Sequence, residues 1–242
     1  MIGLSFVEVN IDTAGYQENK SVIQNIHFKL DAGQLIGLIG PNGAGKSTTI
    51  KAMLGLTPVR QGSMVINGKT GRYSYVPEHP ILYDGLTLQE HIELAISAGH
   101  TPYDQAKEKV NKLLGMFRLK KHMHRYPTAF SKGMQQKVNL ILGFIMEPDL
   151  YIVDEPFIGL DPVAIKDLLD LLELERQRGA AILMCTHVLD TAEKICDSFI
   201  LMNNGAVATQ GTLEEVQSYC GLPHASLFDC FYHVLQDGDE YE

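Results

Sequence analysis

The chain has 242 residues, 45% of them hydrophobic and 20% charged, and its formal net charge is −9. These values predict one or two globular domains and exclude a disordered or collagen-like chain. The acidic charge argues against binding to nucleic acid or to anionic lipid, because both depend on neutralisation by Lys and Arg.

The first 80 residues predict short strands, and the middle of the chain predicts helices. Strands are expected at residues 4–9, 35–39, 63–68 and 73–76, with a turn at Gly33. A helix is expected over Thr48–Leu54, directly after the glycine-rich segment Gly40–Ser47. Thr87 and Glu90 form a capping box that begins another helix, and further helices are expected over 104–118 and 131–146.

Beyond residue 146, short apolar strands alternate with helices. Strands are expected over Leu150–Val153 and Ala181–Cys185, and helices from Asp161-Pro162 to Gly179 and over 188–196. Asn204-Gly205 predicts a type I′ hairpin between Ser198–Met202 and Ala206–Thr209, and Thr212 and Glu215 form a second capping box. This alternation predicts a parallel sheet covered on both faces. The tail from about residue 221 is rich in Cys, His and Asp and receives no role.

Cysteine usage and hydropathy predict a cytosolic chain without a membrane span. The four cysteines form no CxxC pair and have no His at metal-ligand spacing, which predicts reduced thiols. The start of the chain lacks the basic and apolar segments of a signal peptide. No stretch approaches the ~20 apolar residues of a membrane span, so a role at the membrane would require a partner.

The most specific motif is G-x-x-x-x-G-K-S between an apolar strand and a helix. Glycines let successive backbone N–H groups converge on phosphate oxygens, and the helix that follows adds its positive end. Lys46 is predicted to reach the β- and γ-phosphates, and the Ser47 hydroxyl is predicted to bind Mg²⁺. The predicted nucleotide-binding residues of this loop are Gly40, Pro41, Asn42, Gly43, Ala44, Gly45, Lys46, Ser47 and Thr48.

Polar residues that follow two other apolar strands complete a candidate catalytic site. Carboxyl ends of parallel strands gather ligand chemistry, so Asp154 and Glu155 can share a site with the phosphate loop. We expect Asp154 to hold Mg²⁺ and Glu155 to act as the base for the attacking water. His187 could bond the γ-phosphate and orient that water. Asp161 is a good helix N-cap and could also contact a second subunit.

Taken in order, these motifs resemble those of ATP-binding-cassette (ABC) ATPases over residues 1–217. The set comprises Gly40–Ser47, Ser131-Lys132-Gly133-Met134, Leu150–Glu155, Gly159-Leu160-Asp161 and His187. Within the family, Val76–Tyr83 and Phe130–Val138 resemble the Ecs-type subunit of bacterial transporters. The resemblance implies a single α/β domain with a P-loop NTPase (RecA-like) core and an N-terminal antiparallel β subdomain. It also implies an inserted α-helical subdomain at about 79–140, of which 79–130 would dock the transmembrane subunit.

The resemblance also implies a homodimer that sandwiches two ATP molecules with Mg²⁺. The signature residues Ser131, Lys132, Gly133 and Met134 would then contact ATP on the partner, with Ser131 and Gly133 at the γ-phosphate, and Tyr16 would stack on adenine. Tyr16 could instead be an ordinary turn aromatic. Lys132 departs from the usual signature and either helps hold phosphate or is simply solvated. Glu78 stands where the family often has Gln. When ionised, its side chain can accept hydrogen bonds but cannot donate them. The resemblance still implies that Glu78 contacts Mg²⁺.

The resulting hypothesis is an ATP-hydrolysing motor subunit of a bacterial ABC transporter. It would work with a separate transmembrane permease, lie in the cytoplasm on the inner face of the membrane, and serve export rather than import, with no nucleic-acid partner. One alternative is a soluble ABC ATPase acting on nucleic acid or ribosomes, which the single cassette and acidic charge disfavour. Another is a nucleotide-binding regulator with little turnover, which Glu155 and His187 disfavour.

Overall fold

A three-stranded antiparallel sheet forms the amino-terminal layer of the fold. A computed structural model describes residues 5–18, 20–99 and 103–239. The sheet has the order β2-β1-β4 and contains β1 (Val7–Gln17), β2 (Lys20–Leu30) and β4 (Val59–Ile66). One face of this sheet packs on the first helix and on a second, larger sheet, here called the main sheet, and the three share an apolar core.

The predicted short strands of this layer were wrong in length and number. β1 extends from Val7 to Gln17 rather than over 4–9, of which residue 4 lies outside the described part, and β2 was not predicted. The register of β1 shifts between Ala14 and Gly15, and Asn25 in β2 has a φ of 53°. Such irregularities interrupt the two-residue alternation by which strands are found in a sequence. β4 covers Val59–Ile66 instead of 63–68.

The main sheet has six strands in the order β5-β6-β7-β3-β8-β9. β3 (Leu35–Ile39), β5 (Tyr73–Val76), β6 (Leu150–Asp154), β7 (Ala181–Cys185) and β8 (Ser198–Asn203) are parallel, whereas β9 (Ala206–Gly211) is antiparallel to β8. The predicted parallel sheet is therefore confirmed. The type I′ hairpin is also confirmed, because Asn204 and Gly205 have φ values of 46° and 78°.

The antiparallel sheet and the first helix cover one face of the main sheet, and the other helices pack on the opposite face. The helices are α1 (Lys46–Met53), α2 (Leu88–Ala98), α3 (Tyr103–Met116), α4 (Lys132–Phe144), α5 (Pro162–Gln177), α6 (Leu189–Ile195), α7 (Leu213–Cys220) and α8 (Leu227–Asp239). The three predicted caps are confirmed, since the side chains of Thr87, Asp161 and Thr212 each accept a hydrogen bond from a first-turn N–H. The described residues 79–99 and 103–140 contain α2, α3, two 3₁₀ turns and most of α4.

The tail that received no role in the sequence analysis forms α8. Leu227, Cys230 and Val234 are buried, a helical spacing that packs α8 onto α6, α7 and β8. Ser226 and Asp229 exchange hydrogen bonds at its start, as in a capping box. Within the described ranges, no helix combines the length and apolar character needed to cross a bilayer.

Candidate functional site

Four strand ends of the main sheet meet at one edge and border a cleft of about 460 Å³. The parallel strands β5, β6, β7 and β3 are neighbours, so the segments after them leave the sheet on the same side. The order along the sheet does not follow the order along the chain, a topology that opens a crevice at strand ends. Predicted site residues lining the cleft are Gly40, Pro41, Asn42, Lys46, Ser47, Glu78, Asp154, Glu155 and His187.

The loop after β3 has the backbone form of an anion-binding loop. Gly43 and Gly45 have positive φ values of 86° and 100°, and Gly45 is the N-cap of α1. A Cβ at Gly40 would lie 2.8 Å from the Met202 carbonyl oxygen, so a side chain does not fit there. The Lys46 ammonium donates hydrogen bonds to the Gly40 and Pro41 carbonyls at 2.6 and 3.2 Å. Lys46 and the N-terminus of α1 therefore place positive charge in the cleft.

Asp154 brings a buried carboxylate to the same cleft. Burial raises the pKa of Asp154, and the carboxylates of Glu155 and Glu78 raise it further, while Lys46 opposes the shift. Burial and the charge of Asp154 raise the pKa of Tyr75 to about 12. Neighbouring carboxylates and the Ser47 hydroxyl are oxygen ligands of the kind that hold Mg²⁺. The donor set present in the cleft thus fits a divalent cation.

Glu155 and His187 form a hydrogen-bonded pair at the ends of β6 and β7. The His187 Nδ1 atom lies 2.8 Å from the Glu155 Oε2 atom, and the His187 backbone N–H donates to the same oxygen at 3.3 Å. The carboxylate acceptor requires a hydrogen on Nδ1, which fixes the ring orientation. Glu155 has a φ of 47°, a strained conformation for this residue, and donates its N–H to the Cys185 carbonyl at 2.8 Å. Its side chain is 11% exposed, whereas that of His187 is 64% exposed.

Several residues that the sequence analysis missed complete the site. Ile158, Leu189 and Phe231 line the cleft. Asn139 in α4 donates to the Pro77 carbonyl at 2.7 Å and so anchors the segment that carries Glu78. Asn139 could have been found as a polar residue among the apolar residues of α4, but nothing in the sequence links Phe231 to residues so far from it along the chain.

Tyr16 lies beside the phosphate loop but does not line the cleft. Its hydroxyl is 3.4 Å from the Thr48 hydroxyl, and the Lys51 ammonium lies 5.6 Å from the centre of its ring. The ring is about half exposed. An accessible aromatic face next to α1 is compatible with stacking of a base, which stays a prediction.

The signature segment and Asp161 lie outside the lining of the cleft. Ser131 caps α4 by accepting the Met134 N–H at 3.3 Å, and Lys132 is exposed in the first turn of that helix. A Cβ on Gly133 would lie 2.6 Å from the Gly159 carbonyl oxygen, so the two loops pack closely. These residues are not among those lining this chain's cleft, and their action across a dimer stays a prediction.

Asp161 has partners within its own chain. It accepts the Ala164 N–H at 2.9 Å and pairs with Lys137 at 2.7 Å. Lys137, together with the Ala164 N–H, lowers the pKa of Asp161 to about 2. The N-cap role is therefore confirmed, whereas a contact with a second subunit stays a prediction.

Comparisons with known proteins find relatives that match almost the whole chain. The family model described as ABC transporter matches residues 23–158. The chain is 47% identical over 232 residues to the ABC transporter ATP-binding protein YthP of Bacillus subtilis, covering 96% of this chain and 98% of that protein. It is 42% identical over 248 residues to the ABC-type transporter ATP-binding protein EcsA of the same organism, covering 99% of this chain and 100% of EcsA.

Solved structures share the fold. One described as an ATP binding subunit of an ABC transporter has a TM-score of 0.90 and 42% identity, and the match covers 95% of this chain and 99% of that one. The ATP-binding cassette MJ0796, a dimer in a post-hydrolysis state bound to ADP and Pi, has a TM-score of 0.72 at 21% identity, and the match covers 86% of this chain and 98% of that one. At that identity it supports the fold alone. The chain therefore belongs to the ATP-binding subunits of ABC transporters, which are ATPases built on the P-loop NTPase fold.

Proposed function

We propose that this chain hydrolyses ATP in the cleft at the carboxyl edge of its main sheet and so drives a separate transmembrane permease. The single observation that carries the proposal is the convergence of Lys46, Asp154 and the Glu155–His187 pair on one cleft. Anion-binding groups and carboxylates in one cleft are the parts that phosphoryl transfer to water requires. A regulator that only binds nucleotide would not need the hydrogen-bonded pair.

The ionisable and hydroxyl-bearing residues of the cleft have distinct roles in the proposed reaction. Lys46 and the loop N–H groups bind the phosphates and stabilise the charge that develops on the transferred group. Glu155 accepts a proton from the attacking water, and His187, with a hydrogen on each ring nitrogen, donates from Nδ1 to Glu155 and from Nε2 to a γ-phosphate oxygen. Ser47, Asp154 and Glu78 would hold Mg²⁺, which supplies positive charge against the phosphate oxygens.

Tyr16 and the signature segment complete the nucleotide site in the proposal. Tyr16 stacks on adenine from the edge of the phosphate loop. Ser131, Lys132, Gly133 and Met134 contact the ATP of a second copy, with Asp161 near the dimer contact. The exposure of Ser131 and Lys132 supports this assignment, because a residue that acts on a partner must be accessible.

The proposed setting is the inner face of a bacterial membrane, with export as the direction of transport. Likeness to EcsA supports an Ecs-type transporter, and the direction rests on the Ecs-like motifs. The segment over 79–130 is the proposed permease-docking surface, where Ile81, Tyr83 and Tyr126 expose apolar side chains. Exposed aromatic and aliphatic side chains in one region are typical of protein contacts.

Purification of the tagged chain from gently solubilised native membranes, followed by mass spectrometry, tests the transporter assignment. We expect a polytopic membrane protein in near-stoichiometric amount. A matched variant, Ile81→Asp with Tyr83→Asp, should lose that partner while it keeps ATP binding. If the tagged chain is instead recovered with ribosomes, with DNA-binding proteins or with no partner, the transporter role is disproved. The chain would then be assigned to the soluble ABC ATPases.

A further inference from the structure

The carboxyl-terminal helix α8 contributes a wall residue to the catalytic cleft. Phe231 lines the cleft together with Leu189 and His187. Phe231 and Leu189 also pack on the same apolar cluster, which contains Ile39, Ala192 and Leu227. The reaction described above assigns no part to Phe231, although this side chain shares the cleft with Glu155.

α8 is held to the rest of the molecule through polar and apolar contacts. The Leu227 N–H at its start donates to Glu193 of α6 at 2.7 Å. The side chain of Asn203, at the end of β8, donates to the Val234 carbonyl at 3.3 Å. The side chains of Leu227, Cys230 and Val234 are at most 5% exposed. The position of Phe231 is therefore set by α6 on one side and by β8 on the other.

The segment that carries His187 is supported from two sides. On one side, the Val188 N–H donates to the buried Thr186 hydroxyl at 3.1 Å, and Val188 packs on the apolar core that contains Leu168 and Met184. α6 starts at Leu189, two residues after His187, and its N-cap residue Val188 makes no side-chain capping bond. The seven-residue α6 is too short to be stable alone. The His187 ring is 64% exposed and is held on one side by Glu155. Packing of Leu189 against the α8 cluster supports this segment from the other side.

We propose that Phe231 is a positioning residue for ATP hydrolysis, which fixes the start of α6 through Leu189 and thereby keeps His187 in hydrogen-bond contact with Glu155. The inference rests on the roles proposed above for Glu155 and His187. Removal of the phenyl ring opens space beside Leu189, and the start of α6 shifts toward it. A displacement of about 1 Å in a catalytic group can cost about a hundredfold in rate.

Phe231→Ala should therefore lower kcat for ATP hydrolysis about tenfold or more, with ATP affinity changed less than about twofold. Affinity is spared because the phosphates are bound by Lys46 and by N–H groups of the loop between β3 and α1, and Lys46 is held by the Gly40 and Pro41 carbonyls of that same loop. Phe228→Ala is the matched control, since Phe228 lies on the same helix and is 57% exposed. It should leave kcat unchanged. Phe231→Leu, which refills the apolar wall, should restore at least a third of the wild-type kcat.

Hydrogen exchange gives a readout that a general loss of stability would not produce. The His187 N–H donates to Glu155, so Phe231→Ala should accelerate its exchange and leave the amides of α1 unaffected. A wild-type kcat in Phe231→Ala, or an equal fall in kcat and ATP affinity, would overturn the inference. An equal loss in Phe228→Ala would overturn it as well.

Glu155→Gln in the same series separates this inference from the proposed function. If Glu155→Gln loses turnover while Phe231→Ala keeps the wild-type kcat, only the positioning role of Phe231 is disproved. If Glu155→Gln keeps wild-type turnover, Glu155 is not the base, and the positioning role of Phe231, which depends on Glu155, is disproved as well. Turnover lost in both variants, with binding retained in both, supports both.

Discussion

Asp154 shows how a carboxylate proposed to hold Mg²⁺ conflicts with the stability of the folded chain. Burial raises its pKa above the usual Asp value, and the charges of Glu155 and Glu78 add to the shift. Because the folded chain holds this proton more strongly than the unfolded chain, stability falls as pH rises from the unfolded pKa through the folded pKa. Above both values, the ionised carboxylate is a constant cost to folding.

Asp154→Asn should therefore raise the melting temperature at pH 7.5 without nucleotide or Mg²⁺. We expect a gain on the order of a few degrees, since each kcal/mol is worth about 2–4 °C in a chain of this size. The gain should vanish below about pH 3.5, where the carboxyl is protonated in both states. Asp170→Asn, at an exposed position of α5, is the control and should show no gain. A lower melting temperature for Asp154→Asn at pH 7.5 would contradict this reasoning.

Individual site residues were predictable where short-range chemistry identifies them. The phosphate loop, Asp154, Glu155 and His187 follow apolar strands, and strand ends of a parallel sheet meet at one edge. Phe231 has no such signal, because an aromatic residue on a helix is usually part of a core. Its contribution to the cleft depends on how α8 folds back onto β8.

At the scale of elements, a largely buried ion network ties α3 to α5. Glu175 of α5 accepts hydrogen bonds from Lys109 of α3 and, at 2.8 Å, from Arg178. The Glu175 and Lys109 side chains are only 5% and 16% exposed. Loss of Glu175 leaves Arg178 without this carboxylate and leaves Lys109 with Glu147 alone, at 3.3 Å. Removing one partner of a buried ion pair is strongly destabilising, because the charge that remains is poorly compensated in a region of low dielectric.

Glu175→Gln should lower the free energy of unfolding by about 3 kcal/mol, as measured by urea titration. Glu173→Gln is the matched control, because Glu173 lies on the same helix, pairs with Arg176 and is 54% exposed. That variant should lose less than about 1 kcal/mol. Equal losses in the two variants would mean that the network does not hold α3 to α5.

Helices that begin with a capping residue were predicted well, whereas strands with register shifts or left-handed backbone residues were not. Thr87, Asp161 and Thr212 each cap a helix that begins where the sequence predicts it. The hairpin of β1 and β2 was missed because its alternation is broken near Gly15 and Asn25. α8 carried a capping signal at Ser226 and Asp229, but its Cys, His and Asp content obscured the apolar stripe.

At the scale of the whole molecule, one chain presents two separate halves of the proposed site. The cleft holds the phosphate loop and the carboxylates, whereas Ser131 and Gly133 lie in another loop, against Gly159. In the proposed dimer, the signature of one copy would cover the cleft of the other. ATP would then act as the link between two copies, and its hydrolysis would release them.

Glu155→Gln provides a sharp test of this arrangement. Glutamine cannot accept the proton of the attacking water, so turnover should fall about a hundredfold or more while ATP still binds. Light scattering should then give a mass of about twice 26.8 kDa with ATP and the single-chain mass with ADP. Lys46→Ala in the same background should abolish the ATP-dependent dimer. Wild-type turnover, or a monomer in the presence of saturating ATP, would contradict the proposed site.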